Sequence, residues 1–170
     1  QMETNVFGLM NVTRAFLPHF RQRRSGTVIN VSSVGGQITF PLYSLYHTSK
    51  WAVDGFSESL HYELRPLGIR VRVIEPGAIK TDFYTRSMEV ASNPAITDYD
   101  DYTARVIPVT EALTADAPGP EIVAKRIWQA AMHRGGKLRF MVGKEGAFVL
   151  LKRWIPNTWF FALVRATLKA

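Results

Sequence analysis

Two short runs of β-branched and apolar residues, Thr27-Val28-Ile29-Asn30-Val31 and Ile69-Arg70-Val71-Arg72-Val73-Ile74, are joined by one long segment with helical periodicity. Parallel strands buried on both faces read as near-continuous apolar runs, and pairing them requires a crossover long enough to hold a helix. The joining segment supplies that helix, from about Ser44 to Leu64, and ends at Pro66 and Gly68, residues that stop helices. Upstream, Val6 to Phe20 repeats Leu9, Met10, Phe16, Leu17 and Phe20 at helical spacing, and Arg21 to Arg24 place positive charge at the helix end. Downstream, Pro120-Glu121 opens a helix carrying Ile122, Val123, Ile127 and Trp128, and Leu138 to Val142 reads as a further strand. Helix, strand, helix and strand in this order predict an α/β fold: a parallel sheet with right-handed crossovers and helices on both faces.

A chain of 170 residues fits one compact domain. It has no cysteine, which excludes disulfides and thiolate metal sites, and His19, His47, His61 and His133 do not fall at ligand spacings, so no metal is expected. The formal charge of +7 suits nucleic acid, anionic lipid or dinucleotide phosphates alike, but the basic residues are spread over several elements, which argues against nucleic acid. Gln1 to Asn5 carry no secretory pattern, and a cytoplasmic setting is the default expectation. Thr81 to Pro120 is weakly periodic and reads as a long functional loop with short helices. Beyond Gly146 lies an apolar and basic tail (147–170) with Phe148, Trp154, Trp159, Phe160 and Phe161, interrupted by Lys152, Arg153 and Pro156 before any bilayer-spanning run develops. That mixture would suit a membrane interface. Packing of the tail on the domain or on a dimer partner is the favoured expectation.

The chemistry is carried by Tyr46-His47-Thr48-Ser49-Lys50. Residues four apart on a helix share a face, so the phenol and the ammonium can act together. Lowering a phenol from about pH 10 to about 7 needs roughly 4 kcal/mol of phenolate stabilisation. A cation about 4 Å away at an effective dielectric of ~20 supplies on the order of 4 kcal/mol. Tyr46 can therefore be expected to work as a general acid or base near neutrality. The spacing by itself carries little weight, but Ser32-Ser33-Val34-Gly35-Gly36 follows the first strand, at the strand ends where open α/β sheets place their sites.

Val28-Ile29-Asn30-Val31-Ser32-Ser33, Tyr46-His47-Thr48-Ser49-Lys50 and Glu75-Pro76-Gly77-Ala78-Ile79-Lys80-Thr81 resemble, in order and spacing, three successive signatures of the short-chain dehydrogenase/reductases. The resemblance runs from about Asn5 to Val142. It implies a partial, doubly wound Rossmann-like sheet, the C-terminal half of the family's catalytic domain over residues 1–146, and a substrate loop over about 82–119. It implies NAD or NADP as cofactor, a small-molecule carbonyl or secondary alcohol as substrate, and homo-oligomers of the full-length protein built on the helices bearing Asn5 and Tyr46. Tyr46, Lys50, Ser33 and Asn5 would form the catalytic set: Tyr46 as proton donor or acceptor, Lys50 lowering its pKa and holding the nicotinamide ribose, Ser33 polarising the substrate oxygen, and Asn5 holding a water behind the lysine. Pro76, Gly77, Ile79 and Thr81 would hold the nicotinamide end together with Tyr46 and Lys50, and Phe83, Tyr84 and Met88 would wall the substrate pocket beside Ser33. The glycine-rich phosphate turn that opens a complete member is not found in these residues, and roughly 90 to 110 residues of the pattern would precede them. The chain alone is thus expected to leave a sheet edge unpaired and to bind cofactor poorly. The alternative from another class is a non-catalytic interaction module that keeps the motifs by descent and touches membranes through its tail.

Overall fold

A computed structural model of the chain describes every residue except Glu89 and Ser92, and every side chain except those two and Tyr84 and Thr85. Three parallel strands form one sheet in the order β1 (Gly26–Val31), β2 (Ile69–Pro76) and β3 (Arg139–Val142), with Val28 opposite Val71 and Ile74 opposite Phe140. The expected α/β sheet is present, and each crossover carries a helix: α2 (Ser44–Leu64) between β1 and β2, and α4 (Glu121–Met132) between β2 and β3. The chain enters through π-helical turns at Glu3–Gly8 that continue into α1 (Leu9–Arg23). Arg24 ends α1 in the left-handed conformation at φ 51°, and its N–H donates to the Phe20 and Arg21 carbonyls.

Strand alternation sends neighbouring residues to opposite faces. Val28, Ile69 and Val71 meet Leu60 and Leu64 of α2 and Leu17 and Phe20 of α1 on one face. Ile29, Ile74, Phe140 and Val142 meet Val123, Ile127 and Ala130 of α4 on the other. Both faces are therefore covered, which is why β2 is buried almost throughout. Gly68, at φ 73°, makes the turn into β2, where a Cβ would strike the Arg24 carbonyl. On the α4 face the apolar pattern is broken by Arg72, 1% exposed, whose guanidinium donates to the His133 and Gly135 carbonyls just past α4 at 3.1 and 2.7 Å. A cation at a helix C-terminus is favourably placed against the helix dipole and its free carbonyls.

Residues 81–120 hold π-helical turns at Phe83–Ser87 and a full helix, α3 (Asp100–Thr114). The tail forms α5 (Gly146–Trp154) and α6 (Asn157–Leu168). Val149 and Phe160 pack on Val34 and Ile38, and Lys152 donates to the Gln37 carbonyl at 2.8 Å, so the tail is seated on the loop after β1. No helix among the described residues is long and apolar enough to cross a membrane.

On the α2 face, Arg139 of β3 donates to Asp54 at 2.7 Å, Glu58 at 2.7 Å and Glu75 at 2.6 Å. Burial, and then the nearby Asp54 charge, push the Glu75 carboxyl from 4.5 up to about 7 despite the guanidinium. A carboxyl that binds its proton more tightly folded than unfolded stabilises the fold fully below 4.5, and that contribution is lost as pH rises to about 7. We expect unfolding free energy to fall across that window by on the order of 3 kcal/mol from this group. Denaturant titrations at several pH values should show the slope, and Glu75→Gln should flatten it.

Candidate active site

The C-terminal ends of all three strands open on one side, and the loops leaving them line a cavity of about 600 Å³. β1 delivers Ser32 and Ser33, β2 delivers Pro76, Gly77 and Ile79, and the turn after β3 delivers Lys144 and Glu145. The side of α2 facing β1 supplies Tyr46 and His47. Close approach of loop and helix depends on two glycines: a Cβ on Gly35 would lie 2.9 Å from His47 Nδ1, and one on Gly36 would lie 2.8 Å from both Asp54 Oδ2 and Ser32 Oγ. His47 holds the loop from the helix side. Its Nε2 accepts from the Phe40 N–H at 2.9 Å, so Nδ1 carries the proton and donates to the Gly35 carbonyl at 2.9 Å. Burial lowers its pKa, which agrees with a neutral ring whose two nitrogens are both engaged.

Ser33 lies at the centre. Its hydroxyl donates to the Pro76 carbonyl at 3.2 Å, accepts from the Gly35 N–H at 3.0 Å and is hydrogen-bonded to Tyr46. Tyr46 packs against Phe83, ring centroids 5.7 Å apart. Lys50 stands behind the phenol, its Nζ 5.8 Å from the Tyr46 ring centroid and 3.3 Å from the Val31 carbonyl. Asn5, within the π-helical turns, donates to Ser49 Oγ at 3.2 Å, and Ser49 donates in turn to the Tyr46 carbonyl at 2.7 Å. A π-turn is a rare local widening, often found at functional sites.

The electrostatics differ from the expectation drawn from spacing. Burial raises the Tyr46 pKa above its ordinary 10.0; the Ser33 hydrogen bond opposes this and the Tyr43 ring reinforces it. Lys50 is itself lowered by burial, and Asp54, one turn further along α2, pulls it back up. Partial burial of both groups therefore favours neutral phenol over phenolate. The ammonium near the ring does not outweigh the loss of water around the hydroxyl.

Of the residues singled out in the sequence, Ser33, Tyr46, Pro76, Gly77, Ile79, Thr81 and Phe83 line the cavity, with Lys50 and Asn5 in the layer behind. Met88 does not line it, and the Tyr84 side chain lies outside the described residues. Sequence reading passed over three groups. Lys144 and Glu145 reach the cavity from the β3 turn, Leu113, Leu163 and Leu168 come from α3 and α6, and Asp54, Glu75 and Arg139 brace the site from behind. The last set had a signal: an acid at the buried end of a strand needs a cation on its own face, and Arg139 opens the one strand that follows it among the described residues.

A short chain dehydrogenase family model matches residues 1–91. An uncharacterized oxidoreductase of Bacillus subtilis is 38% identical over 156 residues, covering 90% of this chain and 56% of that protein. A 3-ketodihydrosphingosine reductase of Bacteroides thetaiotaomicron is 32% identical over 159 residues, covering 92% and 59%. The crystal structure of a short-chain dehydrogenase from Streptomyces avermitilis superposes with a TM-score of 0.72 at 34% identity, covering 99% of this chain and 58% of that one. That of a short chain dehydrogenase from Burkholderia cenocepacia in complex with NADP shares the fold, with a TM-score of 0.71 at 22% identity, covering 96% and 57%. The chain spans less than three fifths of the length of each of these proteins. A serine, a tyrosine and a lysine gathered at the ends of parallel strands, together with matches over most of its length, place the chain in the short-chain dehydrogenase family of oxidoreductases.

Proposed function

We propose that this chain carries the proton-transfer half of an NAD(P)(H)-dependent oxidoreductase that interconverts a carbonyl and a secondary alcohol. The observation that carries the reading is the Tyr46 hydroxyl, bonded to Ser33 and backed by Lys50, at a cavity formed by the strand ends. Relatives named as oxidoreductases, one a 3-ketodihydrosphingosine reductase, support it.

The residues present fit the nicotinamide end of such a cofactor. An ammonium has three donors, and among the described residues Lys50 engages one, on the Val31 carbonyl, leaving others for ribose hydroxyls. Glu145 Oε2 is buried beside Gly77 without a hydrogen-bond partner, an acceptor that a carboxamide N–H would satisfy. Pro76, Gly77, Ile79 and Thr81 would hold that end. When bound, the cofactor supplies or accepts a hydride at the substrate carbon.

The residues of this chain then manage the oxygen. In reduction Tyr46 gives its proton to the carbonyl oxygen as negative charge develops there, a step for which a phenol kept neutral by burial is suited. Ser33 turns its hydroxyl from the Pro76 carbonyl toward the same oxygen and stabilises it. Lys50 favours the phenolate left behind, and Asn5 steadies the start of the catalytic helix through Ser49 and, as the family resemblance implies, supports the proton path behind Lys50. The segment over about 82–119 acts as the substrate lid through Phe83 and α3.

Two outcomes follow. Tyr46→Phe should cut carbonyl reduction by roughly 10² to 10⁴-fold while nicotinamide-cofactor binding persists, measured by cofactor oxidation over a ketone panel and by fluorescence titration; absence of both turnover and cofactor binding in the unmodified protein would instead favour the non-catalytic module. Oxidation requires phenolate, so its kcat/KM should climb with pH toward the raised Tyr46 value, and Lys50→Met should move that rising limb to still higher pH.

A further inference from the structure

The wall of the cavity is less polar than its residue names suggest. Thr110 and Thr114 of α3 face it, but their hydroxyls donate to the Val106 and Thr110 carbonyls of their own helix at 3.1 and 3.2 Å. His47 has both ring nitrogens engaged with backbone. Thr81 Oγ1 accepts from the Phe83 N–H at 3.3 Å. The remaining polar side chains of the wall include the Ser33, Tyr43, Tyr46 and Thr167 hydroxyls, with Lys144 and Glu145 on the β3 side. Away from these the lining is hydrocarbon: Phe40, Leu113, Val123, Phe148, Leu163 and Leu168.

Several of these groups remain open to water at the mouth of the cavity. Leu113 is 49% exposed, Phe148 41% and Leu163 37%. Three apolar side chains from α3, α5 and α6, directed at one cavity and incompletely covered, gain most from a ligand that presents hydrocarbon to them. The roof is also held in a fixed place. Phe160 is buried against Val34 and Ile38, and Lys152 and Arg153 bind Gln37, so α6 is anchored to the loop that begins at Ser33.

We propose that the site takes a carbonyl or secondary alcohol flanked by hydrocarbon substituents, with Leu113 of α3 and Leu163 of α6 setting the preference for apolar bulk. The substrate's reacting oxygen meets the Ser33 and Tyr46 hydroxyls, and most of its remaining surface meets hydrocarbon from α3, α5 and α6. A polyhydroxylated carbonyl would lose its water there without replacement. This rests on the reaction proposed above, and the test separates the two.

The methyl ketone series from 2-butanone to 2-decanone, with dihydroxyacetone as the polar control, would be assayed with the protein as its gene encodes it and with nicotinamide cofactor. Binding of 2-decanone would be measured independently by saturation-transfer NMR. We expect kcat/KM to rise by roughly 4-fold per methylene until the cavity is filled, dihydroxyacetone to be poorly used, and both Leu113→Ser and Leu163→Ser to flatten the dependence on chain length. Both leucines are substantially exposed, so the folded state tolerates the changes. If 2-decanone binds, and binds less well in the two variants, but no ketone is reduced, the substrate inference stands and the proposed reaction falls. If small or hydroxylated ketones are reduced while 2-decanone neither binds nor reacts better than 2-butanone, the reaction stands and the inference is overturned.

Discussion

A guanidinium set among three carboxylates ties the second helix to the second and third strands. Arg139 reaches Asp54 and Glu58 on α2 and Glu75 on β2, and without it two nearly fully buried acids would lie beside each other in an apolar interior. Removing one partner from such a set is far more damaging than the net contribution of the set would suggest, because the remaining charges stay buried. Its position gives it wider reach. Asp54 lies one turn beyond Lys50, Glu75 directly precedes Pro76, and Gln37, which donates to Glu75, anchors the tail through Lys152 and Arg153. Spacing between α2, the turn after β2 and the roof of the cavity is thus fixed by one charge cluster.

In front of that cluster burial works against charge on both groups of the pair. Burial disfavours both phenolate at Tyr46 and ammonium at Lys50, while the Ser33 hydrogen bond and the Asp54 charge act in the opposite sense. A proton donor for an oxygen gaining negative charge should be neutral before the step and tolerable as an anion after it. In the proposed reaction the surroundings of Tyr46 would meet the first requirement, and Ser33 and the nearby lysine would serve the second.

Three polar groups at the cavity wall, the His47 ring and the Thr110 and Thr114 hydroxyls, are bound to backbone. They serve the shape of the loop and of α3. Polar residue types near a site therefore say little about its polarity until their partners are known.

Much of the fold was legible in the sequence. The β-branched runs, the helical period between them, and the Pro66 and Gly68 stop marked β1, β2 and the bounds of α2, because local sterics and burial act over short stretches of chain. Ser33, Tyr46 and Lys50 were legible as a set through their motifs. Other features required tertiary structure. α3 has weak periodicity and the tail helices are short and interrupted by Pro156, and what orders the tail is the surface it packs on, with Phe160 on Ile38 and Lys152 on Gln37. The direction of the Tyr46 shift could not be read from a four-residue spacing, since it depends on how much water the fold removes from each group. Glu75, Asp54 and Arg139 are far apart along the chain, and only the stacking of β2, β3 and α2 brings their charges within hydrogen-bonding distance, where burial makes each depend on the others.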